Sequence, residues 1–307
     1  MRILSIVKFS LVLITLSFQA QDREQIKIEY APFMSFEESK PDATILTRNN
    51  SKQVHIKHKG IEMWCNEAIY YAKEDFIEAY GDVQLIQGDT LNMKSKYIEY
   101  SGKTQLAYAS GNVVLVDNSS ELYTDILFFD RIKQEAYYNQ KGKVIRDLSG
   151  VINSDFGRYF TKTKKYLFSK NVVLVNPEYV IETERLDFYT LTGHAFLYGP
   201  TTITSDSSII YCERGFYNTN NDTGYFVKKS KIDYDERRIE GDSIFFDRNK
   251  SFASATNNIK VTDTLNNFLV RAHYAEVFKD KDSVYVTKRA LAITVQENDS
   301  LYMHSDT

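Results

Sequence analysis

Residues 122–130 read Leu-Tyr-Thr-Asp-Ile-Leu-Phe-Phe-Asp, and the chain keeps returning to this phrase. With Leu122 as position 0, position 2 is small (Thr124), position 3 acidic (Asp125), position 5 apolar (Leu127) and position 7 aromatic (Phe129). Position 0 recurs at Met63, Met93, Leu122, Ile152, Ile181, Ile210, Ile239, Val270 and Met303. Position 2 reads Cys65, Ser95, Thr124, Ser154, Thr183, Cys212, Gly241, Ala272 and Ser305. Position 7 reads Tyr70, Tyr100, Phe129, Tyr159, Phe188, Tyr217, Phe246 and Val277. About nine repeats of roughly 29 residues in one register decide the architecture before any local assignment.

The surrounding composition agrees with strands. Aromatic residues reach 14%, while Pro numbers 4 and Gly 13 in 307 residues. Aromatic and β-branched side chains pack well on a pleated surface. A chain this long outgrows one globular core, but repeats extend in one dimension. A net charge of −3 leaves no broad basic surface for nucleic acid.

Residues 1–20 read as a secretory signal peptide: Arg2 and Lys8 flank a short apolar run ending at Ala20. A retained N-terminal anchor is the alternative. Residues 21–60 form a degenerate first repeat or cap, in which Ala31, Met34 and Phe36 echo positions 2, 5 and 7. Residues 61–307 carry the full repeats and stop inside a last one, with Met303, Ser305 and Asp306 in register. Either the chain is a piece of something longer, or its last edge strand is left open to a partner.

Within a repeat the expectation is three short strands, such as 112–116, 122–129 and 134–139, with turns at 117–120, 130–133 and 141–143. Turns this short favour antiparallel neighbours. Turning corners between sheets instead would wind the same pattern as a parallel β-helix. Positions 0 and 2 share one face and 5 and 7 another, so a bulge or bend between 2 and 5 is needed to bring all four to one side.

Catalytic signatures do not emerge. No Gly-x-Ser-x-Gly elbow, His-Glu-x-x-His or phosphate-cradling Gly loop occurs. His55 and His58 fall on opposite faces of a strand and read as surface or turn residues. Cys65 and Cys212 stand five repeats apart, at least roughly 24 Å, too far for a disulfide. Each fills a slot reserved for a small side chain. The position 3 acids Asp125, Asp155, Glu184, Glu213, Asp242 and Asp306 read as water-exposed corner residues capping turn amides, not as a metal ladder. No metal or cofactor is expected. The apolar columns have two readings: a filled solenoid interior, or a trough holding acyl chains, each buried CH₂ contributing about 0.8 kcal/mol.

Several phrases resemble the organic-solvent-tolerance (OstA-like) and LptA family of bacterial lipopolysaccharide transport. They are Gly81-Asp82-Val83-Gln84-Leu85, Gly88 to Met93, Tyr97-Ile98-Glu99-Tyr100 and Tyr108 to Val113. Residues 240–247 and 253–261 repeat the set. The likeness runs from about residue 26 to the end. It implies an all-β, repetitive antiparallel β-jellyroll open along one side. It implies a periplasmic lipopolysaccharide-binding bridge, without catalysis of its own, that carries lipid A acyl chains in a hydrophobic groove toward the outer membrane. The implied partners are lipopolysaccharide and other Lpt-type jellyrolls or further copies, joined end to end by edge strands; no nucleic acid is expected. The chain carries more repeats than the compact periplasmic bridge of that family and lacks an outer-membrane barrel. Positions 0, 5 and 7 are the expected groove lining: Leu122, Leu127, Phe129, Ile181, Leu186, Phe188, Ile210, Ile244 and Phe246. The rival functions are a parallel β-helix polysaccharide lyase or hydrolase, and a structural cell-surface repeat protein with a closed interior.

Overall fold

The computed structural model describes residues 24–305 except 90, 119, 147–149 and 297–298. The expected signal segment and Asp306 lie outside the described residues. Twenty-five strands form one sheet, every paired register antiparallel. A parallel β-helix is thereby ruled out, and with it the lyase architecture.

Each repeat is a hairpin of two long strands, not three short ones. Leu106–Asp117 pairs with Ser120–Asp130, Lys165–Asn176 with Tyr179–Tyr189, and Phe252–Asp263 with Phe268–Phe278. The residues expected to open a first strand, such as Gly111-Asn112 and Lys170-Asn171, lie in the middle of a long one. They adopt left-handed φ of 79° and 54°, and of 65° and 51°. The same left-handed doublet recurs at Gly81-Asp82, Lys228-Lys229, Asn257-Asn258 and Lys288-Arg289. Two consecutive left-handed residues make a bulge that bends the strand without ending it. Lys141-Gly142, expected as a turn, is also a bend, with Lys141 alone left-handed: Glu135–Tyr138 and Gly142–Arg146 both pair with Ser120–Asp130, and Gly142–Arg146 pairs with Gly150–Ser154 on its other side.

The second strand of each hairpin bends at the place parity demands. Registers shift between Thr124 and Ile126 and between Thr183 and Arg185, that is, between positions 2 and 5. Positions 0, 2, 5 and 7 consequently reach one interior. Leu122, Leu127 and Phe129 are each buried to 1% exposure or less, and one apolar cluster runs from Ile26 to Val277. Every long strand is thus a V, about five residues or ~17 Å to an arm. Stacked Vs make a trough with the bulges along its spine and the hairpin turns along two rims. The rim turns are set by aspartates: Asp130 Oδ1 accepts the Lys133 amide at 2.9 Å, and Asp247 and Asp263 do the same for Lys250 and Asn266.

Large and small side chains alternate across the ribs. Position 5 is Ile98, Leu127 and Ile244 beside Ala79, Ala109 and Ala255, whereas Leu186 lies between Phe168 and Leu197. At two ribs the sizes invert. Gly157 takes position 5 where the Tyr138 ring fills the space, and Gly215 takes it beside Phe226. A Cβ at Gly215 would lie 2.9 Å from Phe226 Cδ1. Cys65 and Cys212 are free and buried, and burial raises both thiols to about 12. With two strands per repeat their separation grows to roughly 48 Å.

At the N-terminal end, Lys27–Tyr30 pairs with Val54–His58 and Phe33–Ser35 with Ala43–Thr47. Asp299–Ser305 pairs with Ala290–Gln296 at the other end. Phe33, Met34, Leu301, Tyr302 and Met303 are exposed on these outer strands.

Candidate functional site

The trough interior is where the expected lining residues converge. Leu122, Leu127, Phe129, Ile181, Leu186, Phe188, Ile210 and Ile244 are all buried to 1% exposure or less, and Phe246 is half-buried against the same cluster. Their side chains fill one another's space. Aromatic rings reinforce the packing: Tyr159, Tyr166 and Phe168 stack at centroid distances of 4.2 and 5.1 Å. Some of the hydroxyls inside find internal partners, as where Tyr138 Oη meets Ser154 Oγ at 2.7 Å.

No strand pairing joins the two rims among the described residues; side chains do. Gln87 donates to Gln134 at 2.9 Å, and Lys164 Nζ meets Asp117 Oδ2 at 2.6 Å. Ser120 and the Tyr166 hydroxyl lie 3.1 Å apart. Arg146 reaches Thr219 and Asn220 at 3.4 and 3.3 Å. Lys279 donates to the Ser207 carbonyl at 3.0 Å, and Arg237 bonds Asp282. These partners are 45 to 47 or 72 to 74 residues apart, about one and a half or two and a half repeats. The seam is therefore a line of polar contacts between turns, while the spine is continuous backbone. A net hydrogen bond contributes about 0.5–1.5 kcal/mol, so each lace is weak beside the apolar ribs. Lys164–Asp117 is the exception, with the aspartate side chain only 2% exposed.

Sequence reasoning missed these rim residues. They read as ordinary turns, and nothing local signals a partner so far along the chain. His58 is also misplaced by it. Rather than a surface residue, it is buried at the rim, with Nδ1 2.6 Å from the Tyr100 hydroxyl and Nε2 2.8 Å from the Glu24 carbonyl. His55 does face outward, stacked on Trp64 and bonded to Glu62.

The position 3 acids sit on the spine, away from the trough. Their partners are side chains on the next strand rather than turn amides. Asn171 donates to Asp155 at 2.6 Å, Lys229 to Glu213 at 2.5 Å and Asn258 to Asp242 at 2.9 Å, each 16 residues on. Each donor is the second left-handed residue of a bulge. A left-handed non-glycine costs roughly 1–2 kcal/mol, which these bonds help offset. No cluster of three metal-binding side chains occurs among the described residues. No helix there is long and apolar enough to cross a membrane.

Open space remains where the lacing is loosest. One pocket, of about 70 Å³, lies on the seam between Ser207–Ser208 and Arg248–Lys279, above Ile232, Ile239 and Val277. A second, lined by Val261, Phe268, Val270, Val284 and Ala292, follows toward the C-terminal end.

Comparison with known proteins adds a family. The family model described as "OstA-like protein" matches residues 23–184. No curated protein matches the chain. Among solved structures, the chain is similar to LptH of Pseudomonas aeruginosa, described as the LptA homologous periplasmic component of the conserved lipopolysaccharide transport device. The match covers 33% of this chain and 76% of that one, at 13% identity and a TM-score of 0.30.

Proposed function

The chain belongs to the OstA-like protein family, and from that premise we propose that it is a non-catalytic carrier of lipopolysaccharide in the bacterial envelope. In this reading the acyl chains of lipid A lie in the trough and the sugars stay in water outside the seam. The observation that carries it is the construction of the interior: one apolar column along the whole described chain, closed on its spine by backbone and on its mouth by side chains alone. Since the lining side chains fill the trough, loading requires the rims to part and each rib to exchange side-chain contacts for lipid. The exchange is close to balanced, because apolar area leaves water in both states. Lipid thus moves along the trough with no directed chemistry, and the driving energy comes from elsewhere. The periplasm is the proposed location. The outer strands Lys27–Tyr30 and Asp299–Ser305 are the proposed joints to like-folded neighbours or further copies, through backbone edges and exposed residues such as Tyr302.

Site-specific photo-crosslinkers test this. Placed at Leu127, Leu186 and Ile244, they should capture lipopolysaccharide; placed at Asp125, Glu184 and Asp242 on the spine, they should not. Capture confined to the spine, or none at all, would reject the carrier and favour a structural rod with a closed interior.

A further inference from the structure

The seam pocket between Ser207 and Lys279 differs from the rest of the mouth in its charge balance. At two other points a cation on one rim meets an anion on the other, Lys164–Asp117 and Arg237–Asp282, while Arg146 meets the neutral Thr219 and Asn220. Here two cations line one cavity. Lys279 Nζ bonds only the neutral Ser207 carbonyl, at 3.0 Å. Arg248 Nη2 is buried with no hydrogen-bond partner, and its Nε reaches only the Tyr217 hydroxyl, at 3.4 Å. The guanidinium is wedged over two rings, 5.1 Å from Tyr179 and 5.6 Å from Phe246, which fixes its position without neutralising it. Of the nearby carboxylates, Asp247 pairs with Lys250 at 2.9 Å, and Asp222 reaches Arg248 only through the Tyr217 hydroxyl, which lies 3.2 Å from it.

Below the cations the cavity is apolar. Ile232, Ile239 and Val277 line it and belong to the trough's continuous core. Its enclosed space is about 70 Å³, enough to start an alkyl chain that the parting rims then admit. Among the described residues, this is where an opening, an apolar base and two cations without a directly bonded carboxylate come together on the seam. An arginine with a free N–H edge and a neighbouring lysine suit a phosphate oxygen, and the base suits an alkyl chain.

We propose that this pocket is a loading port for phosphate-bearing acyl amphiphiles, with Arg248 and Lys279 holding the phosphoryl head while the first acyl chain enters between Ile232, Ile239 and Val277. The proposal rests on the carrier reading and adds to it the place and the head group. It also explains why the opening stands here: an anionic head bound by both cations draws Lys279 off Ser207 and so removes the contact that joins the two rims.

The test uses the full chain with dodecyl phosphate bearing a terminal diazirine, alongside the matching dodecyl alcohol and inorganic phosphate. Dodecyl phosphate should label Ile232, Ile239 or Val277. Arg248→Gln with Lys279→Gln should weaken its binding at least tenfold and leave the alcohol unaffected. Arg248→Lys, which keeps the charge, should retain much of the affinity. Inorganic phosphate should not compete at equal concentration; equal competition would make this a free-anion site and overturn the proposal. Labelling at Leu127 and Leu186 with no effect of the double substitution would overturn the port while keeping the carrier. No interior labelling by either alkyl probe would overturn both.

Discussion

Exchanging sizes at one inverted rib tests the packing that keeps the trough filled. Phe226 is fully buried, and its ring lies between Gly215 and Gly224. At Leu127 and Ile244 position 5 carries a large aliphatic residue and the facing strand carries Ala109 or Ala255. Phe226→Ala removes a whole aromatic ring flanked by two glycines, which have no side chain of their own to fill the space; the expected cost is about 3–5 kcal/mol. Gly215→Leu drives a side chain into a Cβ position 2.9 Å from the ring and 3.1 Å from Cys212 Sγ. Overpacking of this kind costs at least ~1–3 kcal/mol. Combined, the two changes rebuild the Leu-beside-Ala pair seen at Leu127 and Ala109. The double variant should be more stable than either single one, with a coupling on the order of 3 kcal/mol. Repeat stacks open in parts, so hydrogen exchange across residues 194–247 is the assay, supported by urea melts. Additive losses in the double variant would refute the size exchange and show that Phe226 and Gly215 do not share one space.

Two further perturbations probe the rims. Lys164→Met leaves the Asp117 carboxylate buried and unpaired across the seam. It should cost about 3–5 kcal/mol, and adding Asp117→Leu should recover most of that; a cost below ~1 kcal/mol would class the pair with ordinary exposed ones. The Asp263 carboxyl is lowered from 3.8 to about 2, first by hydrogen bonds from Asn266 and then by Arg237. A depressed folded-state value means its contribution is present above pH 3.8 and disappears as the pH falls toward 2. Asp263→Asn should flatten that part of the acid-stability curve; an unchanged curve contradicts the assignment.

The parts of the fold legible in the sequence are those that repeat in place. Nine copies of one phrase reveal the period, and the parity conflict between Thr124 and Leu127 locates the bulge observed between Thr124 and Ile126. Strand count was not legible. Gly111-Asn112 and Lys141-Gly142 carry the residue types of a hairpin turn, and a left-handed bulge inside a long strand uses the same types. Only the pairing of Leu106–Asp117 as one strand distinguishes them. The burial of the column residues was legible because it follows the repeat, and Phe246 departs only where the seam pocket exposes it. The lacing of the seam was not. Twist offsets the rims by one and a half or two and a half repeats, so Gln87 meets Gln134 and Arg146 meets Asn220 with no local pattern to mark the pairs. Gly157 and Gly215 stand out as departures from an aliphatic column, but the rings that compensate them, Tyr138 and Phe226, sit on neighbouring strands.

Loading a trough that is already full demands that its rims separate. Spin labels at Asn118 and Lys162, exposed on facing turns beside the Asp117–Lys164 contact, report that separation directly. Adding lipopolysaccharide should lengthen the distance between the labels by several ångströms, and to a smaller degree in Phe226→Ala, where lipid can enter without displacing a ring. A distance distribution unchanged at saturating lipid would contradict the account.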